Sequence, residues 1–158
     1  MDRELVFNLL FEQLSSSLAI AIKAATDARD LATHEQSKPE TQYDTVGLEA
    51  SYLAHGQSQR VNDLQLAIED WQQLKSKPFS EDSKISTGAI VELKGSESVH
   101  YYLLGNFSGG VKLQLSDKFV TAVSILSPIG EQLSEKEIGD EIKSPANPSE
   151  YLEITAIY

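Results

Sequence analysis

"FNLLFEQLSSSLAIAIKAATDARDLA", residues 7–32, carries apolar positions at alternating steps of four and three: Phe7, Phe11, Leu14, Leu18, Ala21, Ala25, Ala28 and Ala32. A 3.5-residue period sustained this long marks a helix that pairs with another helix along one seam. The seam is bulky at its start and all alanine from Ala21 onward. A partner can therefore approach more closely toward the far end, and the paired structure is expected to be slim there. Residues 46–71 supply the partner, with Val46, Ala50, Leu53, Gln57, Val61, Leu64, Ile68 and Trp71 again in threes and fours and one extra four that reads as a stutter. Joined by a short break, the two segments predict an antiparallel coiled-coil hairpin. Arms of about 30 residues would be roughly 45 Å long at about 1.5 Å per residue. A compact bundle would need a third helix to bury a second face, and no third helical pattern of that length follows. Trp71 falls at the base of the hairpin, where it is expected to be core.

After Leu74 the stretch "KSKPFSEDSK", residues 75–84, is polar and broken by proline, which reads as a linker. A boundary near Pro78 divides the chain into a hairpin, residues 1–77, with its tip near 33–44, and a second domain, residues 78–158. From Ile85 the period changes to two. "AIVEL", "VHYYLL", "VKLQL" and "FVTAVSI" are β-rich runs separated by "KGSES", "GNFSGG" and "SDK", predicting an antiparallel meander. "SPIGEQLSEK" reads as a short helical turn and "EYLEITAIY" as a closing strand. The fold class is therefore α+β.

Composition narrows the function classes. A hydrophobic fraction of 41% over 158 residues suffices for a real core. With no cysteine there is no disulfide frame, thiolate metal site or cysteine nucleophile. The longest uninterrupted apolar run, Leu18 to Ile22, is far short of the roughly 18 residues a membrane span requires, and "MDRELVF" lacks a basic start and a cleavage site. The expectation is a cytoplasmic protein with no membrane association. A net charge of −11 opposes sequence-independent phosphate binding, so any contact with nucleic acid must be local or mediated by a partner. His34, His55 and His100 show no metal-ligand spacing, and Gly109-Gly110 is a turn signal without the strand–glycine–helix pattern of a phosphate loop.

Three segments, in order, resemble the bacterial Gre transcript-cleavage factors (GreA and GreB). "KPETQYDTVGLEASYLAHGQSQRVNDL", residues 38–64, resembles the second arm of their hairpin; "GAIVELKGSESVHYYLLG", residues 88–105, the first hairpin of their C-terminal domain; and "VSILSPIGEQLSEKEIGDEI", residues 123–142, their Ser-Pro-Ile, Leu, Lys, Gly-Asp segment. The resemblance runs from about Thr33 to Tyr158. It implies an FKBP-like β domain after the coiled coil, a monomer, and insertion of the hairpin into the secondary channel of bacterial RNA polymerase. It also implies tip carboxylates that help hold a weakly bound catalytic magnesium. Such a factor is not itself an enzyme: it donates ligands, and the polymerase cleaves the backtracked transcript. Nascent RNA is met only within that complex, and free nucleic acid is not bound. Leu126, Ser127, Pro128 and Ile129 match the surface that grips the polymerase rim, although Ser127-Pro128-Ile129 also suits the start of a helical turn.

The tip departs from the family pattern. Gre tips carry an aspartate and a glutamate three apart, just before an asparagine, and those positions fall here at Gln36 and Pro39. Glu35 and Glu40 each lie one residue away and are the candidate magnesium ligands in a re-registered loop, because magnesium prefers hard oxygen donors. Glu40 has a structural alternative, since Ser37 three residues before it forms a capping-box pattern with Pro39 in the first helical turn. Thr41 with Asp44 repeats that pattern, which makes Asp44 a helix-start charge. Glu35 ends the first arm, where the helix dipole disfavours a negative charge. Tyr43 is expected to pack across the tip. Two further functions compete with cleavage: a regulator that occupies the channel without cleaving, and a prolyl isomerase or chaperone module, suggested only by the FKBP-like fold, which does not confer function.

Overall fold

The computed structural model describes residues 1–33, 46–77, 84–96, 98–147 and 149–158. The tip residues 34–45 and the proposed boundary at Pro78 lie outside the described residues. Two helices, α1 (Arg3–Thr33) and α2 (Val46–Ser76), precede β1 (Ile90–Lys94), β2 (Val99–Gly105), β3 (Lys112–Leu115), β4 (Lys118–Ser124), α3 (Pro128–Leu133), β5 (Glu141–Lys143) and β6 (Tyr151–Ile157). The chain forms two compact units: Phe11–Ile68, and Met1–Leu10 together with Glu69–Tyr158.

The first of these is the shaft of a helical hairpin. Leu14, Ala21, Ala28 and Ala50 are at most 5% exposed. A lone helix cannot hide an alanine that completely, so α1 and α2 bury one another along the predicted seam of α1. On α2 the seam differs from the sequence reading in one respect. Ala54 is half-buried, whereas Leu53 is 51% exposed. The inward positions run Ala50, Ala54, Gln57, Val61, Leu64, Ile68 and Trp71, in unbroken fours and threes, so no stutter falls between Ala50 and Trp71. Leucine is the better hydrophobe, but the facing part of α1 is alanine, and only a small residue fits where two helices approach that closely.

The second unit is built on a six-stranded sheet of order β3-β4-β2-β1-β6-β5. It departs from a meander. β3 and β4 form a hairpin in which β4, not β3, lies beside β2, and β2 and β4 run parallel. β5, which the sequence reading did not single out, closes the other edge against β6. One face carries the core of Val91, Leu93, Leu104, Val123, Leu152 and Ile154, with Ile85, Leu133 and Ile142 against it and Tyr102 and Ile129 at its margin.

The opposite face presents Ile90, Leu103, Val120 and Ala122, all fully buried. The helix ends cover it. Val6, Phe7, Leu10 and Trp71 are 0% exposed and Leu74 is 1% exposed. Phe7 meets Trp71 edge-on at 6.1 Å, a favoured aromatic geometry. Gly105 is needed beneath them, because a Cβ there would lie 2.5 Å from the Trp71 ring. Arg3 fastens the arrangement: its guanidinium donates to the carbonyls of Leu74 (2.8 Å), Lys75 (3.2 Å) and Gly88 (3.2 Å) and lies 4.7 Å from the centre of the Phe7 ring. A cation thereby satisfies carbonyls at the C-terminus of α2 that have no intrahelical partner. Asn106 donates to Asp70 Oδ1 at 2.6 Å, while Asp70 Oδ2 and Ser108 Oγ are buried with no partner among the described residues.

By length and composition α1 could cross a membrane, since an 18-residue window within it has a mean hydropathy of 1.6. Counting uninterrupted apolar runs missed this, because Asn8, Glu12 and Ser15 break the runs without lowering the average below threshold. The same helix places Val6, Phe7, Leu10 and Leu14 in protein cores, which an apolar core helix does equally well.

Candidate functional site

Four residues identified from the sequence, Leu126 to Ile129, fall at the junction of β4 and α3. Ser127 is the N-cap of α3. Its hydroxyl accepts from the Gly130 amide at 3.1 Å and donates to the Ser124 carbonyl at 2.6 Å, and Pro128 occupies the first helical turn, where a missing amide proton costs nothing. Gly130 packs so tightly on the backbone of Ser124 and Ile125 that a side chain there would collide with both. Ile129 turns inward to the sheet core. The four therefore divide: Ser127 and Ile129 are committed to the fold, while Leu126, 66% exposed, and the exposed Pro128 face solvent side by side. A rigid turn displaying a leucine and a proline is suited to apolar contact with another protein.

The candidate metal ligands Glu35 and Glu40 lie outside the described residues, as do His34, Ser37, Tyr43 and Asp44. No cluster of three or more metal-type side chains occurs among the described residues. His55 is exposed on α2. His100 is half-buried, with Nε2 3.0 Å from Ser98 Oγ and its ring stacked on Tyr102 at 6.4 Å.

Two features escaped the sequence reading. On the sheet face carrying Leu103, Glu92 accepts from Thr155 Oγ1 at 2.8 Å and from the Tyr158 hydroxyl at 3.2 Å. Burial alone would raise its pKa, but hydrogen bonds from Thr155, Tyr101 and Tyr158 and the charge of Lys118 outweigh burial and hold it below the ordinary carboxylate value. The second feature is a groove of about 470 Å³ at the end of β2, β4 and β3, lined by His100, Tyr101, Tyr102, Lys112, Lys118 and Phe119 among others. A signal was present, because Phe119 stands at an outward position of a period-two run.

A helical hairpin joined to a small six-stranded α+β unit defines the class of architecture. Among solved structures the chain is similar to GreA factor homolog 1 (Gfh1) of Thermus thermophilus, with 20% identity, 94% of each chain covered and a TM-score of 0.39. It is likewise similar to a structure of the transcription factor Gfh1 (22% identity, 94% of this chain and 92% of that one, TM-score 0.39) and to Thermus aquaticus Gfh1 (19%, 94% and 93%, TM-score 0.37). No protein-family model matches the chain, and no curated protein does.

Proposed function

We propose that this chain is a Gre-like transcription elongation factor that enters the secondary channel of bacterial RNA polymerase with its hairpin and stimulates cleavage of backtracked transcripts. The observation that carries the reading is the alanine seam. Ala21, Ala28 and Ala50 are almost fully buried between the helices, so the hairpin is thinnest where it approaches the carboxylate-bearing segment 34–45. Helix pairs with small contact residues sit at the short end of the roughly 8–10 Å range of interaxial distances. A narrow two-helix arm is the shape that a channel admits. The turn at Leu126 and Pro128 supplies the docking contact on the outside of the polymerase, and the protein works as a cytoplasmic monomer.

Glu35 and Glu40 would hold the shared magnesium. Two carboxylates fit that ion's taste for hard oxygen and its habit of keeping several waters. The ion would supply activation of a water for attack on the transcript, and the polymerase would provide the other ligands and the nuclease chemistry. The chain's own contribution would be two negative oxygens, from Glu35 and Glu40, carried between its two long helices in sequence. Gln36 and Pro39, standing where carboxylates are expected, favour a second reading in which the hairpin fills the channel and slows nucleotide entry without cleaving.

The deciding experiment adds purified protein to a stalled, backtracked polymerase with magnesium and follows transcript length on a gel. Shortened transcripts support the cleavage reading. Reduced nucleotide incorporation with full-length transcripts supports the second. No effect on either, with no polymerase binding, overturns both.

A further inference from the structure

Strand β5 is one edge of the sheet, and its outer side carries backbone groups that the fold leaves open. The residues flanking β5 bond to the β6 side: Ile154 donates to the Asp140 carbonyl and Ser144 to the Glu150 carbonyl, both at 2.9 Å. Alternation along an antiparallel strand gives Ile142 the same inward direction and turns the amides and carbonyls of Glu141 and Lys143 outward. No partner among the described residues meets the Glu141 amide or carbonyl there. The Lys143 amide donates to the side-chain carbonyl of Gln132, on α3, at 3.0 Å. A side-chain oxygen thus stands where the peptide carbonyl of a neighbouring strand would stand. The Gln132 amide nitrogen has only a long 3.4 Å bond, to the Pro128 carbonyl, so this plug is lightly held. Beside the edge runs a groove of about 350 Å³, with Gln132, Ser134 and Lys136 on one wall and Ile142, Lys143 and Tyr151 on the other.

Charge selects the strand that fits. Glu141 and Glu153 stand directly opposite each other, both exposed, and like charges so placed destabilise a pair. Lys94 lies opposite Glu153 on the next strand, but across the open edge Glu141 faces no cation. Residues 131–153 hold seven acids against two lysines, which favours a basic occupant. A second copy could set Glu141 against Lys143, yet a three-residue contact between chains of net charge −11 falls far short of the roughly 1,200 Å² that a stable interface buries. We infer that β5 and α3 form a docking groove for an extended segment of another protein, which adds to the edge as an antiparallel strand with a basic side chain opposite Glu141 and an apolar one beside Ile142. Backbone pairing with Glu141 and Lys143 supplies affinity, and the two side chains supply the choice of partner. Gln132 gives up the Lys143 amide when the strand arrives. The inference rests on the sheet edge alone and survives if the polymerase reading fails.

The test titrates the full-length, isotope-labelled protein at low salt with a blocked peptide, Lys-Val-Arg-Val-Thr-Lys. One control replaces each basic residue with glutamate, and another carries N-methyl groups on the arginine and threonine amides, which removes the strand's donors. Saturable amide shifts confined to residues 131–134, 141–143 and 151–153, with slowed hydrogen exchange at Glu141, are expected with the first peptide only. Gln132→Ala removes the plug and should tighten binding about threefold. Glu141→Lys, which also relieves the repulsion from Glu153 and so keeps the fold, should weaken binding on the order of tenfold. Shifts at other residues, equal binding of either control, unchanged affinity in either variant, or no shift at millimolar peptide would each overturn the site. Concentration-dependent shifts at the same residues without peptide would overturn it in favour of a second copy.

Discussion

Trp71, the one tryptophan in the chain, tests whether the helix ends and the sheet share a core. The side chain is 0% exposed, meets Phe7 edge-on and occupies the space above Gly105. Trp71→Ala removes that ring and leaves Phe7 without its partner. Truncations of this kind cost about 3–5 kcal/mol, a figure that already contains the roughly 0.5–1.5 kcal/mol of the aromatic pair. For a chain of this size each kcal/mol lowers the midpoint by about 2–4 °C, so a fall of roughly 6–20 °C is expected. Circular dichroism follows the melt, since the variant lacks the fluorophore, and Trp71→Phe should fall between variant and parent. Hydrogen exchange then asks where the loss is felt. Amides of Leu103, Leu104 and Gly105, on the strand beneath the ring, should lose protection along with those of Phe7 and Leu10. A variant that melts within about 0.5 kcal/mol of the parent, or one whose sheet amides keep full protection, would refute the shared core.

Four further outcomes follow from other parts of the molecule. Ala54→Leu should cost about 1–3 kcal/mol by forcing a large side chain into the alanine seam, while Leu53→Ser should stay within about 0.5 kcal/mol; urea melts that reverse this order would restore the stuttered register. Ser127→Ala should cost about 1 kcal/mol through loss of the cap, whereas Pro128→Ala, at an exposed position, should stay within about 0.5 kcal/mol, so that polymerase affinity lost in Pro128→Ala with stability unchanged would identify the turn as a contact and affinity retained there would exclude it. Glu35→Gln and Glu40→Gln should abolish stimulated cleavage with little change in melting, and raised magnesium should partly restore it by mass action; cleavage at parental rates in both variants excludes them as ligands. Because the folded-state pKa of Glu92 is depressed, its contribution to stability is present above the ordinary glutamate value and is lost as pH falls through the folded value. Glu92→Gln should therefore flatten the acid limb of the stability profile, and an unchanged acid limb would show that the hydroxyls around Glu92 contribute nothing.

What the sequence disclosed depended on how far apart the deciding residues lie. The α1 seam was legible because its eight positions repeat within one helix, and β1 and β2 because a short β-rich run bounded by turn residues is a local pattern. Leu53 misled because hydrophobicity was weighed without the width available, which only the facing alanines fix. The parallel pairing of β2 with β4 was invisible, since "VKLQL" and "FVTAVSI" look the same whether β3 lies inside the sheet or at its edge. Three residues suffice for β5 only because Ile142 lies opposite Leu152, and a span so short carries no period of its own. At the β4–α3 turn the sequence marked four residues alike, and the structure separates the two that build the turn from the two that face outward. The groove residues come from three strands, so no linear motif could have assembled them.

The alanine seam also fixes where the hairpin is weakest. An alanine buries about three fewer carbon groups than a leucine, which at about 0.8 kcal/mol each removes roughly 2 kcal/mol of cohesion per seam position. From Ala21 to Ala32 and from Ala54 back to Ala50 the arms are joined by very little apolar area, whereas Phe7, Leu14, Leu64 and Trp71 hold the other end. Opening therefore begins at the alanine end and advances toward the bulky residues, like a zipper whose last teeth are the smallest. Larger side chains cannot strengthen that end without widening it. A slender arm and a tightly closed one are incompatible designs, and this chain has the slender one.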